Sequence, residues 1–112
     1  MFEYCAIVRS VYDGDTIRAD IDLGFGIWQM NQPIRVYGID TPEMKTSEGR
    51  IARDYAKALL DGKTVVMRTI RDTKEKYGRY LAKIEVPDCG DYAETMIALG
   101  HAKTYYGGTK EP

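Results

Sequence analysis

The chain has 112 residues, 44% of them hydrophobic and 29% charged, with a net charge of −1. This is the size and make-up of one globular domain, and it excludes a disordered chain, which combines low hydrophobicity with high net charge. No window offers the roughly 20 apolar residues of a membrane span, and the amino terminus lacks a signal peptide's layout. The two cysteines, Cys5 and Cys89, are too few for a disulfide scaffold and fit a reducing, cytoplasmic setting, with both thiols expected as core fillers. The sequence holds no repeat, low-complexity tract or linker, so residues 1–112 read as a single domain.

Residues 2–11 are rich in β-formers and end at Asp13-Gly14, a strong hairpin signal. Residues 16–23 alternate. Ile17, Ala19, Ile21 and Leu23 share one face, and Thr16, Arg18, Asp20 and Asp22 the other, as in a strand with one buried side. A Gly-punctuated loop over 24–28 leads to a third strand over 32–39, which Pro42 stops because it has no N–H for a ladder. The stretch 25–30, with Phe25, Trp28 and Met30, is too apolar for a solvent loop. It either folds back onto the domain or forms a self-association surface.

A helix is predicted over 48–61, with Ser47 as N-cap and Gly62 beyond its end. Ile51, Ala52, Tyr55, Ala56, Leu59 and Leu60 form its apolar stripe. Residues 64–71 and 80–86 are the fourth and fifth strands. A second helix covers 92–99, capped by Asp91 with Glu94 as in a capping box, and an extended piece follows over 102–106. Five strands with helices inserted, lacking regular β-α-β alternation, predict a mainly β domain of the α+β class. The expected form is a small five-stranded OB-fold barrel with two helices.

Three carboxylates fall at strand edges: Asp15 after the hairpin turn, Asp40 at the end of the third strand, and Glu43 just beyond. Asp15, Asp40 and the carbonyl of Thr41 would suit a hard cation such as Ca²⁺, leaving Glu43 to orient or deprotonate a water. The plainer alternative makes these residues turn and loop formers, and for Asp13 the Asp-Gly turn is a full account. No EF-hand pattern is present. Arg35 points opposite to Ile34 and Val36, where a guanidinium can grip a phosphate bidentately. Arg79 closes the basic, aromatic turn Lys76-Tyr77-Gly78-Arg79, the vocabulary of a nucleotide site, or else of a solvated basic loop. His101, the only histidine, has no assigned role.

Three signatures occur in order: Val11-Tyr12-Asp13-Gly14-Asp15-Thr16, then Ile34-Arg35-Val36-Tyr37-Gly38-Ile39-Asp40-Thr41-Pro42-Glu43, then Lys76-Tyr77-Gly78-Arg79-Tyr80-Leu81-Ala82. Together they closely resemble the staphylococcal nuclease (thermonuclease) family. The resemblance implies an OB-type barrel and calcium-dependent hydrolysis of phosphodiester bonds in DNA or RNA. It makes Asp15, Asp40 and Thr41 the calcium ligands, Glu43 the general base, and Arg35 and Arg79 the phosphate-gripping arginines. It puts Lys76 and Tyr77 near a terminal phosphate, and Tyr105 and Tyr106 beside the nucleotide in an unassigned register. Members of that family continue into a third helix, whereas this chain ends at Pro112, so that helix is expected to be absent. Two other classes remain open: a non-catalytic module of the same barrel that binds nucleic acid or protein, and a plain OB-fold single-strand binder.

The near-neutral total conceals three blocks. Residues 1–43 carry a net −4, residues 44–83 a net +6, and residues 84–112 a net −3. The basic block contains the Lys76 to Arg79 turn. Nucleic acid is therefore expected to be held locally, with an affinity that falls as salt rises.

Overall fold

The computed structural model describes residues 2–70, 74 and 76–105. Strands β1 (Glu3–Asp13), β2 (Thr16–Gly24), β3 (Ile27–Val36) and β4 (Gly38–Asp40) come first, followed by helix α1 (Ser47–Leu60). Then come β5 (Thr64–Thr69), β6 (Tyr80–Val86), the short β7 (Gly90–Asp91), helix α2 (Tyr92–Ala98) and β8 (Lys103–Tyr105). The main sheet runs β3-β2-β1-β5-β6-β7, and a further pairing of β3 with β6 closes five of these strands into a barrel. This is the five-stranded, OB-like architecture that the strand count predicts. The closing pair, Ile34 with Tyr80 through Val36 with Ala82, is parallel, while the other main-sheet pairings are antiparallel.

The barrel fills with the inward members of each alternation: Ala6 and Val8, Ile17 and Ala19, Ile34 and Val36, Val65 and Met67, Ala82 and Ile84. In β1 the inward residues step from Val8 to Val11, three apart rather than two. A bulge between Val8 and Ser10 absorbs the extra residue. A second bulge, in β3, puts Asn31 at φ 52°, where Asp20 Oδ1 accepts its N–H at 2.7 Å and Arg18 donates to its carbonyl at 2.9 Å. Asp20 also pairs with Arg9, so this buried acid on the outer face of β2 is fully engaged. Helix α1 lays Ala52, Ala56 and Leu60 against β1, and Tyr92 and Met96 of α2 complete the core.

The structure corrects several local expectations. Residues 27–30 are not loop: β3 begins at Ile27 after a tight turn at Phe25-Gly26, and Ile27 and Trp28 pair with Gly24 and Asp22. The apolar tip does not fold back, since Phe25, Ile27, Trp28 and Met30 all remain exposed. The third strand also breaks before its expected end. Gly38 adopts φ 94°, and beyond Tyr37 the chain leaves the barrel as β4 to pair with β8. Helix α1 is capped by Thr46 rather than Ser47, because the Thr46 hydroxyl accepts the Gly49 N–H at 3.0 Å. Ile51 and Tyr55 of the expected stripe lie outside, Tyr55 stacking on His101 with ring centroids 4.3 Å apart. Cys5 and Cys89 are both exposed, not core fillers. Among the described residues no helix is long and apolar enough to cross a membrane.

Candidate active site

The β1–β2 turn delivers Asp15, and the end of β4 delivers Asp40 and Thr41. Asp15 is buried, and its Oδ2 accepts the Thr41 N–H at 3.1 Å and the Thr41 hydroxyl at 3.2 Å. Its Oδ1 accepts the Thr16 hydroxyl at 3.1 Å, and its carbonyl accepts the Val36 N–H at 2.9 Å. One side chain thus ties the hairpin turn to the segment after β4. Gly14 permits the approach, since a Cβ there would lie 2.5 Å from Thr41 Cγ2. From below, the buried Tyr92 hydroxyl donates to the Gly14 carbonyl at 2.6 Å.

These contacts set the charge. Burial opposes ionisation of Asp15, but the hydrogen bond with Asp13, the Arg35 charge, the Thr41 N–H and the Thr16 hydroxyl outweigh it. Its carboxyl is held below the ordinary range. Asp13 moves the other way, pushed up to about 6 by burial first and then by the hydrogen bond to Asp15 and its charge. Asp15 is therefore the member of the pair that ionises first, and Asp13 follows near pH 6. Burial, followed by the charges of Asp15 and Asp13, pushes the Tyr92 phenol up, so it remains a hydrogen-bond donor.

Arg35, the penultimate residue of β3, projects into the same place. Its Nη1 donates to the Val36 carbonyl at 2.7 Å and its Nη2 to the Ile39 carbonyl at 2.8 Å. Nη2 also lies 3.7 Å from Asp15 Oδ2 and 3.8 Å from Asp40 Oδ1. The guanidinium is thereby fixed between two carboxylates by backbone carbonyls of β3 and β4, and it offsets their mutual repulsion. Tyr105, paired with Gly38 through β8, presents its ring 6.0 Å from Arg35 Cζ. Arg79 donates to the Thr16 hydroxyl at 3.4 Å, and Thr16 is the cross-strand partner of Arg35. Two arginines that are 44 positions apart in the chain thus meet through one threonine. Arg79 Cζ and Lys76 Nζ stand 5.5 and 5.0 Å from the Tyr77 ring, at the exposed turn before β6.

The expected residues are not all brought together. Asp15, Asp40, Thr41, Arg35 and Arg79 converge, with Tyr105 beside Arg35. Glu43 is exposed, and its carboxylate pairs with Lys45 at 3.2 Å. Among the described residues no three His, Cys, Asp or Glu side chains gather as a metal-binding group, so Glu43 forms no such cluster with Asp15 and Asp40. Tyr106 lies outside the described residues. As a cation site, the Asp15 and Asp40 carboxylates with the Thr41 carbonyl would make an incomplete, anionic, all-oxygen donor set. It fits Ca²⁺, which takes six to eight oxygens, with water and substrate oxygens supplying the remainder.

Sequence reasoning missed the residues that hold the site up. Gly14 read simply as a turn glycine, and Tyr92 as the first residue of a helix. Thr16 carries no local signal for its role, which depends on Arg35 and Arg79, and Gly49 none for its close packing on the Glu43 carbonyl.

A family model described as "Staphylococcal nuclease homologue" matches residues 33–111. The chain belongs to that family. It is 34% identical over 106 residues to a protein of Escherichia coli named "Uncharacterized endonuclease", covering 95% of this chain and 63% of that one. It is 33% identical over 88 residues to the thermonuclease of Staphylococcus intermedius, covering 73% of this chain and 49% of the relative. With the thermonuclease of Staphylococcus hyicus it shares 34% identity over 83 residues, 69% of this chain and 46% of the relative. The chain thus spans less than two thirds of the length of these relatives.

Proposed function

We propose that this domain is a calcium-dependent nuclease that hydrolyses phosphodiester bonds of DNA or RNA. The observation that carries the reading is Arg35, locked between Asp15 and Asp40, with Arg79 joined to it through Thr16. Phosphodiester hydrolysis needs a positioned water and positive charge where the phosphoryl oxygens gain negative charge, with little other help from protein. Two arginines presented on one patch provide that charge, and Arg35 arrives with its orientation already fixed by two backbone carbonyls. Asp15, Asp40 and the Thr41 carbonyl would hold one Ca²⁺, which when bound adds positive charge beside the phosphate. Glu43 would take the proton from the attacking water, turning from its exposed pairing with Lys45 to do so. Lys76, Tyr77 and Tyr105 would contact the nucleotide around the phosphate, and Tyr106 is proposed with them on the resemblance alone.

The test is degradation of denatured DNA and RNA with Ca²⁺ or with excess chelator. Cleavage that requires Ca²⁺ and drops about 10²-fold or more in Glu43→Gln and Arg79→Ala supports the reading, by the magnitude of other lost transition-state donors. Binding with no cleavage at any Ca²⁺ concentration overturns it in favour of a non-catalytic binding module. The exposed Glu43–Lys45 pair is the observation on that module's side.

The apolar tip is proposed as a self-association surface. Among the described residues, 27–33 of β3 pair with β2 alone, leaving an edge on which a second copy can add. Sedimentation of the protein and of Trp28→Ser decides this: a dimer that becomes a monomer supports it, and a monomer throughout rejects it.

A further inference from the structure

Beside the proposed reaction centre, and sharing Thr16, Tyr77 and Arg79 with it, lies a groove of about 560 Å³ that continues along β1 and β2. Its walls are Ser10 and Tyr12 of β1, Thr16 and Arg18 of β2, Pro33 of β3, and Tyr77 with Arg79 from the turn before β6. We propose that this groove is a polynucleotide subsite. It would hold the single strand that flanks the scissile phosphate, with Tyr12 stacking on a base and Arg18 contacting the neighbouring phosphate. The inference rests on the nuclease reading for the position of the scissile phosphate, but its binding chemistry stands apart from cleavage.

The register makes the groove a continuation of the site. Thr16 pairs with Arg35, and Arg18 pairs with Pro33 one step further along the same two strands. Side chains two apart on a strand share a face, so Thr16 and Arg18 line one side, about 7 Å apart. Arg79 is anchored at the first step, and Arg18 stands at the second. Arg18 is oriented, since its Nη1 donates to the Asn31 carbonyl of the β3 bulge, which Asp20 holds in place. A guanidinium has five N–H donors, so this bond leaves the rest of its fork to meet an anion.

Tyr12 enters through a different device. The β1–β2 register shifts between Val11 and Asp13, leaving Tyr12 as the extra residue of a bulge. Bulges beside functional sites re-aim a side chain, and here the result is a tyrosine 70% exposed on the groove wall, matched by Tyr77 at 70% on the same groove. Two exposed tyrosines beside two guanidinium groups, with Arg79 already over the Tyr77 ring and Tyr12 left to meet a base, match a single strand, whose unstacked bases offer π-faces between regularly spaced phosphates. A base paired within a duplex cannot reach such faces.

The test uses full-length protein carrying Tyr12→Ala, Tyr12→Phe or Arg18→Ala, each at an exposed position outside the reaction centre. Binding of a fluorescein-labelled 12-nucleotide oligo-dT is followed by anisotropy in chelator, where cleavage is off. Cleavage kinetics with Ca²⁺ are compared on the same oligonucleotide and on a dinucleotide. Tyr12→Ala should weaken oligonucleotide binding about tenfold while Tyr12→Phe keeps it, because stacking needs the ring and not the hydroxyl. Arg18→Ala should weaken binding and make its logarithmic salt slope shallower by about 0.7. In cleavage, KM for the oligonucleotide should rise, with kcat and all dinucleotide parameters unchanged. Unchanged oligonucleotide binding in Tyr12→Ala and Arg18→Ala, or equal losses on both substrates, overturns the subsite. If the protein cleaves nothing yet these variants weaken binding as described, the nuclease reading falls and the subsite stands.

Discussion

The carbonyl oxygen of Glu43 fills the space that a side chain on Gly49 would occupy. A Cβ built on Gly49 would overlap that oxygen and come within 2.8 Å of the Pro42 carbonyl. Thr46 completes the arrangement, its hydroxyl donating to the Glu43 carbonyl at 2.6 Å and accepting the Gly49 N–H at 3.0 Å. The first turn of α1 is thus a clamp on the backbone of the proposed base.

Gly49→Ala tests the clamp. Alanine favours a helix interior by up to about 1 kcal/mol over glycine, but overpacking against backbone costs about 1–3 kcal/mol. The steric loss prevails, and Tm should fall. Because the 42–43 segment must move to make room, kcat should drop by up to about 10²-fold, the scale of a 1 Å misplacement, with KM little altered. Thermal melts and steady-state kinetics on denatured DNA check both halves.

Tyr92→Phe removes the hydroxyl that reaches Gly14 from the core. The hydrogen bond is 2.6 Å long and buried, so its loss leaves a carbonyl unsatisfied beneath the Asp15 turn. The expected destabilisation is about 1–3 kcal/mol, read as a lower urea midpoint at constant m-value.

Asp40→Asn removes one of the two carboxylates that face Arg35 Nη2. If these hold calcium, the concentration for half-maximal cleavage, expected on the order of 10⁻⁴ M for so open a set of ligands, should rise at least tenfold. Titration of activity with Ca²⁺ measures it, and an unchanged midpoint removes Asp40 from the metal site.

Acid stability should report on Asp20. The Asn31 N–H, acting with Arg9 and against burial, holds its carboxyl below the ordinary range. A group depressed in the folded state stabilises it above the unfolded pKa of about 3.9, and that contribution drains away as pH falls through the folded value. Asp20→Asn should therefore lower Tm at pH 7 and narrow its gap to the parent protein below about pH 4. Melts from pH 7 to pH 2 test the slope.

Much of this architecture was legible because it is local. Period-two alternation marked β2, helical spacing marked the buried side of α1, and Asp91 with Glu94 marked the start of α2. The misreadings have separate physical causes. Gly24, Gly26 and an apolar run looked like loop, but pairing with β2 extends β3 to Ile27. Ser47 looked like a cap, but Thr46 is the residue placed to bridge Glu43 and Gly49. Cys5 looked apolar enough for the core, but it lies on the outward face of β1.

Local patterns in the sequence marked the order of the elements and singled out Asp15, Asp40, Arg35 and Arg79 as candidates. Hydrophobic period, turn residues and motif order are properties of neighbouring positions. Which of these side chains meet depends on how the strands assemble. Closing the barrel through the parallel β3–β6 pair and pairing β2 with β3 bring Arg79 onto Thr16, and Thr16 beside Arg35. Gly14 and Tyr92 let Thr41 close onto Asp15. Glu43 was kept at the surface beside Lys45. Such contacts depend on backbone register and on the space between distant segments, which no short stretch of sequence encodes.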